Sequence, residues 1–195
     1  DVGGGIGTQT LIVLKSFPQL HGVVQDLPAV IENSANKYWE AEAPEILRNK
    51  RVTLMSHDFT QPQPIANASV YFFRAVLHDW SERTCLNILS ALKGAMGPDS
   101  KVFVMEQFHQ YACPQEKLPS MGEAYKPPSF DNSLLLPPSA TTTISHLVDA
   151  QMLTYSTGCE RDPSQFADLF DQGGFKVERI ALQGMWTFYV ASLKI

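Results

Sequence analysis

The sequence predicts an α/β fold: a mostly parallel sheet with helices on both faces and an antiparallel terminal strand. Three observations lead there. Short apolar runs recur at 21–26 (HGVVQD), 51–56 (RVTLMS), 68–74 (ASVYFFR) and 101–106 (KVFVME). Stretches with helical spacing separate them, such as the one carrying Leu86, Leu89, Leu92 and Met96. A glycine turn, Gly3-Gly4-Gly5-Ile6-Gly7, opens the chain where a strand would run into a helix.

Each element has its own local reason. The turn feeds a helix over 8–16, with Leu11, Ile12 and Lys15 on successive turns. Residues 21–26 form a short strand ending on Asp26. Leu27-Pro28 opens a second helix to about Lys37, with the proline in a first turn where its missing N–H costs nothing. A strand over 51–56 and a proline loop over 61–66 follow. The unbroken apolar strand at 68–74 is expected where both sheet faces are covered. The next helix starts at Ser81-Glu82 and runs to Met96, where Gly97-Pro98 stops it. Strand 101–106 again ends on an acid, Glu106. Residues 107–143 carry the pairs Pro127-Pro128 and Pro137-Pro138 and read as a long loop or insertion. Helices at about 143–155 and at 163–172 precede two terminal strands, 175–182 and 186–193, close enough to form a hairpin.

Composition excludes several classes of function. The chain has 195 residues, a length that suits one domain with its own core. It is 44% hydrophobic and 18% charged, as globular domains are. A net charge of −5 lacks the basic footprint of a nucleic-acid binder. No apolar run approaches the roughly 20 residues of a membrane span. The opening Asp1 and glycines show no basic-then-apolar pattern, so no secretory leader is expected. Three cysteines without a CxxC pair argue against a disulfide framework or structural zinc and fit a reducing, cytoplasmic compartment. The histidines lack metal-ligand spacing, and no metal is expected.

Chemistry begins at the glycine turn. Glycines let the backbone turn tightly and approach a ligand, and the helix behind presents free N–H groups. Asp26 lies about twenty residues on, where an acid can accept both hydroxyls of a ribose. The run gives GxGxG with Thr8 next, not the GxGxxG of a dinucleotide site. That disfavours a nicotinamide-dependent oxidoreductase. It favours a nucleoside without a pyrophosphate, of which S-adenosylmethionine is the common one. Further along, His78 follows the carboxyl end of strand 68–74, on the sheet edge where ligands of open α/β sheets bind. An imidazole there can take a proton from a phenol near neutral pH.

The ordered set DVGGGIG, VVQDLPAVI, LHDWSERTC and the strand ending in Glu106 resembles the plant and fungal small-molecule O-methyltransferases, most closely the fungal branch acting on polyketide phenols. The resemblance implies a Rossmann-like class I methyltransferase fold with a seven-stranded sheet whose first strand is cut short here. It implies His78 as general base, Glu106 hydrogen-bonded to it as the orienting acid, and Glu160 flanking it from the other side. Gly3, Gly5, Gly7, Asp26, Leu27, Asp58, Phe59 and Arg74 match the cofactor site, and Met152 a substrate wall. The expected acceptor is a small phenol or enol. The family also carries an N-terminal dimerising domain, which does not precede Asp1, so a homodimer is expected through that domain and 1–195 is read as the catalytic domain. Some fungal proteins resembling this family bind S-adenosylmethionine without transferring its methyl, as pericyclase-like proteins or inactive scaffolds. That alternative stays open at this point.

Overall fold

The computed structural model describes residues 1–107, 140–183 and 185–194. It contains α1 (Thr8–Ser16), β1 (Gly22–Asp26) and α2 (Pro28–Val30), which passes through a π turn (Ile31–Ala35) into α3 (Asn36–Glu42). Then come α4 (Pro44–Arg48), β2 (Val52–Ser56), β3 (Val70–Arg74), a 3₁₀ turn (Leu77–Asp79), α5 (Glu82–Lys93) and β4 (Lys101–Gln107). The chain closes with α6 (Ala140–Tyr155), α7 (Pro163–Gln172), β5 (Phe175–Gln183) and β6 (Trp186–Leu193). No helix among the described residues is long and apolar enough to cross a membrane.

Strands β1 and β2 pair in parallel, and a second sheet has the order β3-β4-β6-β5. In it β3 and β4 are parallel, while β6 runs antiparallel to both β4 and β5. The first residues bridge the two sheets. Val2 makes one parallel bridge to Gln25, and its N–H donates to the Phe72 carbonyl at 2.8 Å. Gln25 N–H in turn donates to the Asp1 carbonyl at 2.9 Å. Among the described residues, six strands thus lie in two sheets joined by this short rung, with the antiparallel terminal strand that the sequence leads one to expect. The carboxyl ends of β1, β2, β3 and β4 share one edge, through the registers Asp26↔Ser56 and Arg74↔Met105. A cavity of about 570 Å³, lined by Gly22, Val23, Val70 and Tyr71 among others, lies at the opposite end of β1 and β3.

The period of two along β4 decides where its acid goes. Val102, Val104 and Glu106 alternate onto one buried face, packed toward a core that includes Phe73, Leu89, Phe166 and Phe175. Glu106 thus ends an apolar row and is fully buried. A second core joins Leu11, Leu14, Val24, Trp39 and Val52 beneath the glycine turn.

Several boundaries differ from expectation. The second helical segment continues past Lys37 to Glu42, because a π turn absorbs one extra residue per turn without breaking the chain of bonds. Helix α5 ends at Lys93, not Met96, with Gly94 as its cap. Gln107 belongs to β4 and residues 140–143 to α6. The rest of the loop expected over 107–143 lies outside the described residues.

Candidate active site

Asp26 organises the glycine turn. Its Oδ2 accepts the Gly5 N–H and its Oδ1 the Leu27 N–H, each at 2.8 Å. Two turn positions require glycine, for opposite reasons. Gly7 has φ +85°, and a Cβ there would stand 2.7 Å from Trp39 Nε1 and 2.9 Å from Val24 Cγ2. The Trp39 ring N–H holds the same turn through the Ile6 carbonyl at 2.9 Å. Gly5 has φ +58°, and no described atom lies within 4 Å of where its Cβ would be. The turn is therefore pinned underneath and open above, as a cradle for a ligand would be.

Beside Gly3 of this turn is a cavity of about 420 Å³, lined also by Asp26, Leu27, Asp58, Phe59 and Trp80, while Gly5 and Gly7 do not line it. The Asp58 carboxyl accepts the Thr60 N–H at 2.9 Å and the Thr60 hydroxyl at 2.7 Å, bonds that hold it below the usual carboxylate range. Phe59 meets Trp80 edge-on at 5.8 Å between ring centroids. His57, which sequence reasoning does not single out, also lines this cavity. Its Nε2 is buried without a partner among the described residues, and burial pushes the imidazole below its ordinary value. The signal for it is its place in SHDF, beside Asp58 and Phe59. Arg74 does not line this cavity. Its guanidinium lies over the Trp186 ring, 4.7 Å from the centroid, because the edge of β3 brings it toward the start of β6.

The 3₁₀ turn after β3 carries His78 onto the same edge. Its Nδ1 lies 2.7 Å from Glu160 Oε1 and 4.0 Å from Glu106 Oε2, and its Nε2 lies 3.7 Å from Asp79 Oδ1. His78 is 9% exposed, Glu160 4% and Glu106 0%. The distances reverse the expected division of labour. Glu160 makes the close hydrogen bond to the imidazole. Glu106 uses Oε1 to accept the Leu77 N–H at 2.8 Å and the Val76 N–H at 3.2 Å, so it ties down the backbone that presents the ring. With Oε1 spent on that backbone, Glu106 brings only Oε2 near the imidazole, at 4.0 Å, whereas the loop before α7 brings Glu160 to 2.7 Å.

The electrostatics follow from this placement. Burial alone would push the His78 imidazole down. The Glu160 hydrogen bond and the charges of Glu106, Glu160 and Asp79 outweigh it and raise His78 to about 9. Burial pushes Glu106 up to about 7, against the pull of the His78 charge. With Nδ1 committed to Glu160, Nε2 is the nitrogen left to exchange a proton.

The segment 158–162 is fixed at both ends. Asp162 Oδ1 caps α7 by accepting the Ser164 and Gln165 N–H groups, and Gln165 returns the bond to the Asp162 N–H, a capping box. Glu160 N–H donates to Asp149 Oδ1 of α6 at 2.9 Å. Met152 lies three residues beyond Asp149, on the same side of that helix.

Comparison with known proteins places the chain in a family. The family model for the O-methyltransferase domain matches residues 1–124. The chain belongs to the O-methyltransferase domain family. It is 34% identical over 180 residues to O-methyltransferase cicE of Emericella nidulans, an alignment covering 92% of this chain and 32% of that protein. The chain spans about a third of the length of the curated relatives it matches. Among solved structures, the mitomycin 7-O-methyltransferase MmcR is 27% identical with TM-score 0.74, covering 99% of this chain and 48% of that one. A structure described as a pericyclic reaction enzyme is 21% identical with TM-score 0.72, over 99% of this chain and 42% of that one, and shows the same fold.

Proposed function

We propose that this chain is the catalytic domain of an S-adenosylmethionine-dependent O-methyltransferase acting on a hydroxyl of a small aromatic, polyketide-type metabolite, with His78 as general base. The observation that carries the reading is the buried His78–Glu160 pair, at 2.7 Å, on the turn whose next two residues, Asp79 and Trp80, line the cavity beside Gly3 and Asp26. When bound, S-adenosylmethionine supplies a methyl already activated on a positive sulfonium, so no further activation of the donor is asked of the protein.

The chain's residues supply the rest. The open cradle over Gly5, between Gly3 and Gly7, would admit the cofactor's main body, and Asp26 beside Leu27 its ribose. Asp58 and Phe59 line the same cavity where a base would lie. His57 Nε2, buried and unpartnered among the described residues, is a further polar group fitted to such a ligand. His78 Nε2 takes the acceptor's hydroxyl proton while Glu160 stabilises the imidazolium, and Glu106 holds the turn. A positioned base contributes about 10²–10⁴-fold. Met152 on α6 is the candidate contact for the acceptor ring.

The test pairs His78→Ala with a trial phenol and calorimetric titration of S-adenosylhomocysteine. Methyl transfer, read as added product mass, is expected to vanish while cofactor affinity is kept. In the parent protein, the rate should rise with pH through the His78 titration near 9. Undiminished turnover in the variant overturns the base. A rearranged product of unchanged mass points instead to a cofactor-binding protein that transfers no methyl.

A further inference from the structure

Arg161 is 5% exposed, and its charge meets carbonyl oxygens. Nη1 donates to the Leu77 carbonyl at 2.9 Å and Nη2 to the Trp80 carbonyl at 2.8 Å. Those carbonyls belong to the residue before His78 and the residue two after it. The Cys85 thiol leans on the same two oxygens, at 3.3 and 3.5 Å. Close by, a Cβ on Gly158 would overlap the His78 carbonyl oxygen, so the backbone there lies directly on the turn. Neighbouring residues thus grip one turn in two ways: Glu160 holds the ring, and Arg161 holds the main chain around it.

We propose that Arg161 is a positioning residue for the base: its planar fork bridges the Leu77 and Trp80 carbonyls and so keeps the His78 ring aligned with Glu160. This rests on the reading of His78 as base, and it deepens that reading. The chemistry selects arginine. A guanidinium offers parallel donors at a fixed spacing, one to each carbonyl, whereas an ammonium is a point donor on a flexible stem. Charge alone is therefore not enough. Losing the fork frees the turn to rotate, and the 2.7 Å contact lengthens. A misplacement of about 1 Å at a reacting group can cost on the order of 10²-fold in rate.

The experiment reads the imidazole directly and needs no acceptor substrate. His78 is titrated by NMR in the full chain, its resonance assigned with His78→Asn, and compared in Arg161→Lys and Arg161→Ala. In the lysine variant, His78 is expected to fall from about 9 toward 6.5 although the positive charge is kept. In the alanine variant, free guanidinium at low, non-denaturing concentration is expected to move it back up. A merely structural role would lower thermal stability and leave the titration of the folded molecules where it was. A folded Arg161→Lys chain with wild-type His78 titration overturns the proposal. Should that variant not fold, guanidinium rescue of Arg161→Ala decides, and failure to restore the titration in refolded protein overturns it equally. Loss of the base reading shows separately, as turnover surviving in His78→Ala.

Discussion

Replacing Glu160 by glutamine separates charge from shape at His78. The amide side chain keeps an oxygen that can accept the Nδ1–H of His78, so Glu160→Gln removes the negative charge and little else. The wild-type consequence can be worked from the imidazole. His78 rises from 6.5 unfolded to about 9 folded, so the fold favours its charged form. The resulting stabilisation is fully present below pH 6.5 and is lost as pH rises through about 9. At 1.36 kcal/mol per unit it amounts to about 3 kcal/mol at low pH, roughly 2–3 kcal/mol at pH 7 and under about 1 kcal/mol above pH 9. These are upper bounds for Glu160→Gln, because Glu106 and Asp79 still face the ring. Urea unfolding of both chains across this range gives the difference directly. The expected result is a gap that is widest near pH 6.5 and closes as pH rises through about 9. A gap of constant size would refute the ionic pairing and leave a packing defect as the cause.

Two other variants test neighbouring parts. Asp26→Ala removes the acceptor of the Gly5 and Leu27 N–H groups as well as the acid proposed to face the ribose, and calorimetry should show S-adenosylhomocysteine affinity down roughly 10- to 100-fold. Glu106 is raised from 4.5 to about 7, so its neutral form is favoured in the fold and its contribution fades as pH rises through 7. Glu106→Gln keeps an acceptor for Val76 and Leu77 and cannot ionise, so chemical denaturation should show stability falling less steeply between about pH 5 and 8 than in the wild type.

What could be read from the sequence depended on how local its cause was. The strand expected at 68–74, observed over 70–74, follows from its apolar composition and was legible, whereas the burial of Glu106 comes from the alternation along β4 and was not foreseen. Strand order was less legible. That residues 1–2 lie between β1 and β3 depends on the Val2–Phe72 bond, which spans seventy residues. The π turn at Ile31–Ala35 has no glycine or proline to announce it. Within the site, His78, Glu106 and Glu160 could be named by resemblance, with Glu106 expected as the hydrogen-bonded acid, but which acid stands closer could not be read, because 2.7 Å to Glu160 against 4.0 Å to Glu106 is decided by how the loop before α7 docks on the turn. Arg161 beside Glu160 could as easily belong to a surface ion pair, and only the docked loop shows its guanidinium on two buried carbonyls. Arg74 shows the converse. Its position one turn before the histidine fits a cofactor contact, but a ring 112 residues later in the chain draws it away.

The buried cluster sets fold stability against the release of its protons. Glu106, Glu160 and His78 are buried together, and protons on Glu106 and His78 relieve the cost of burying those two groups. The raised values of Glu106 and His78 both mean that the native state binds more protons than the unfolded chain between about pH 4.5 and 9. Rising pH therefore weakens the fold over the range in which it frees Nε2 to accept a proton. A base assembled in this way can be strong only if the rest of the turn does not move as its proton leaves. On the proposed role of His78, that requirement would be met by the hold that Glu106 Oε1, the Cys85 thiol and the Arg161 fork have on the main chain around it.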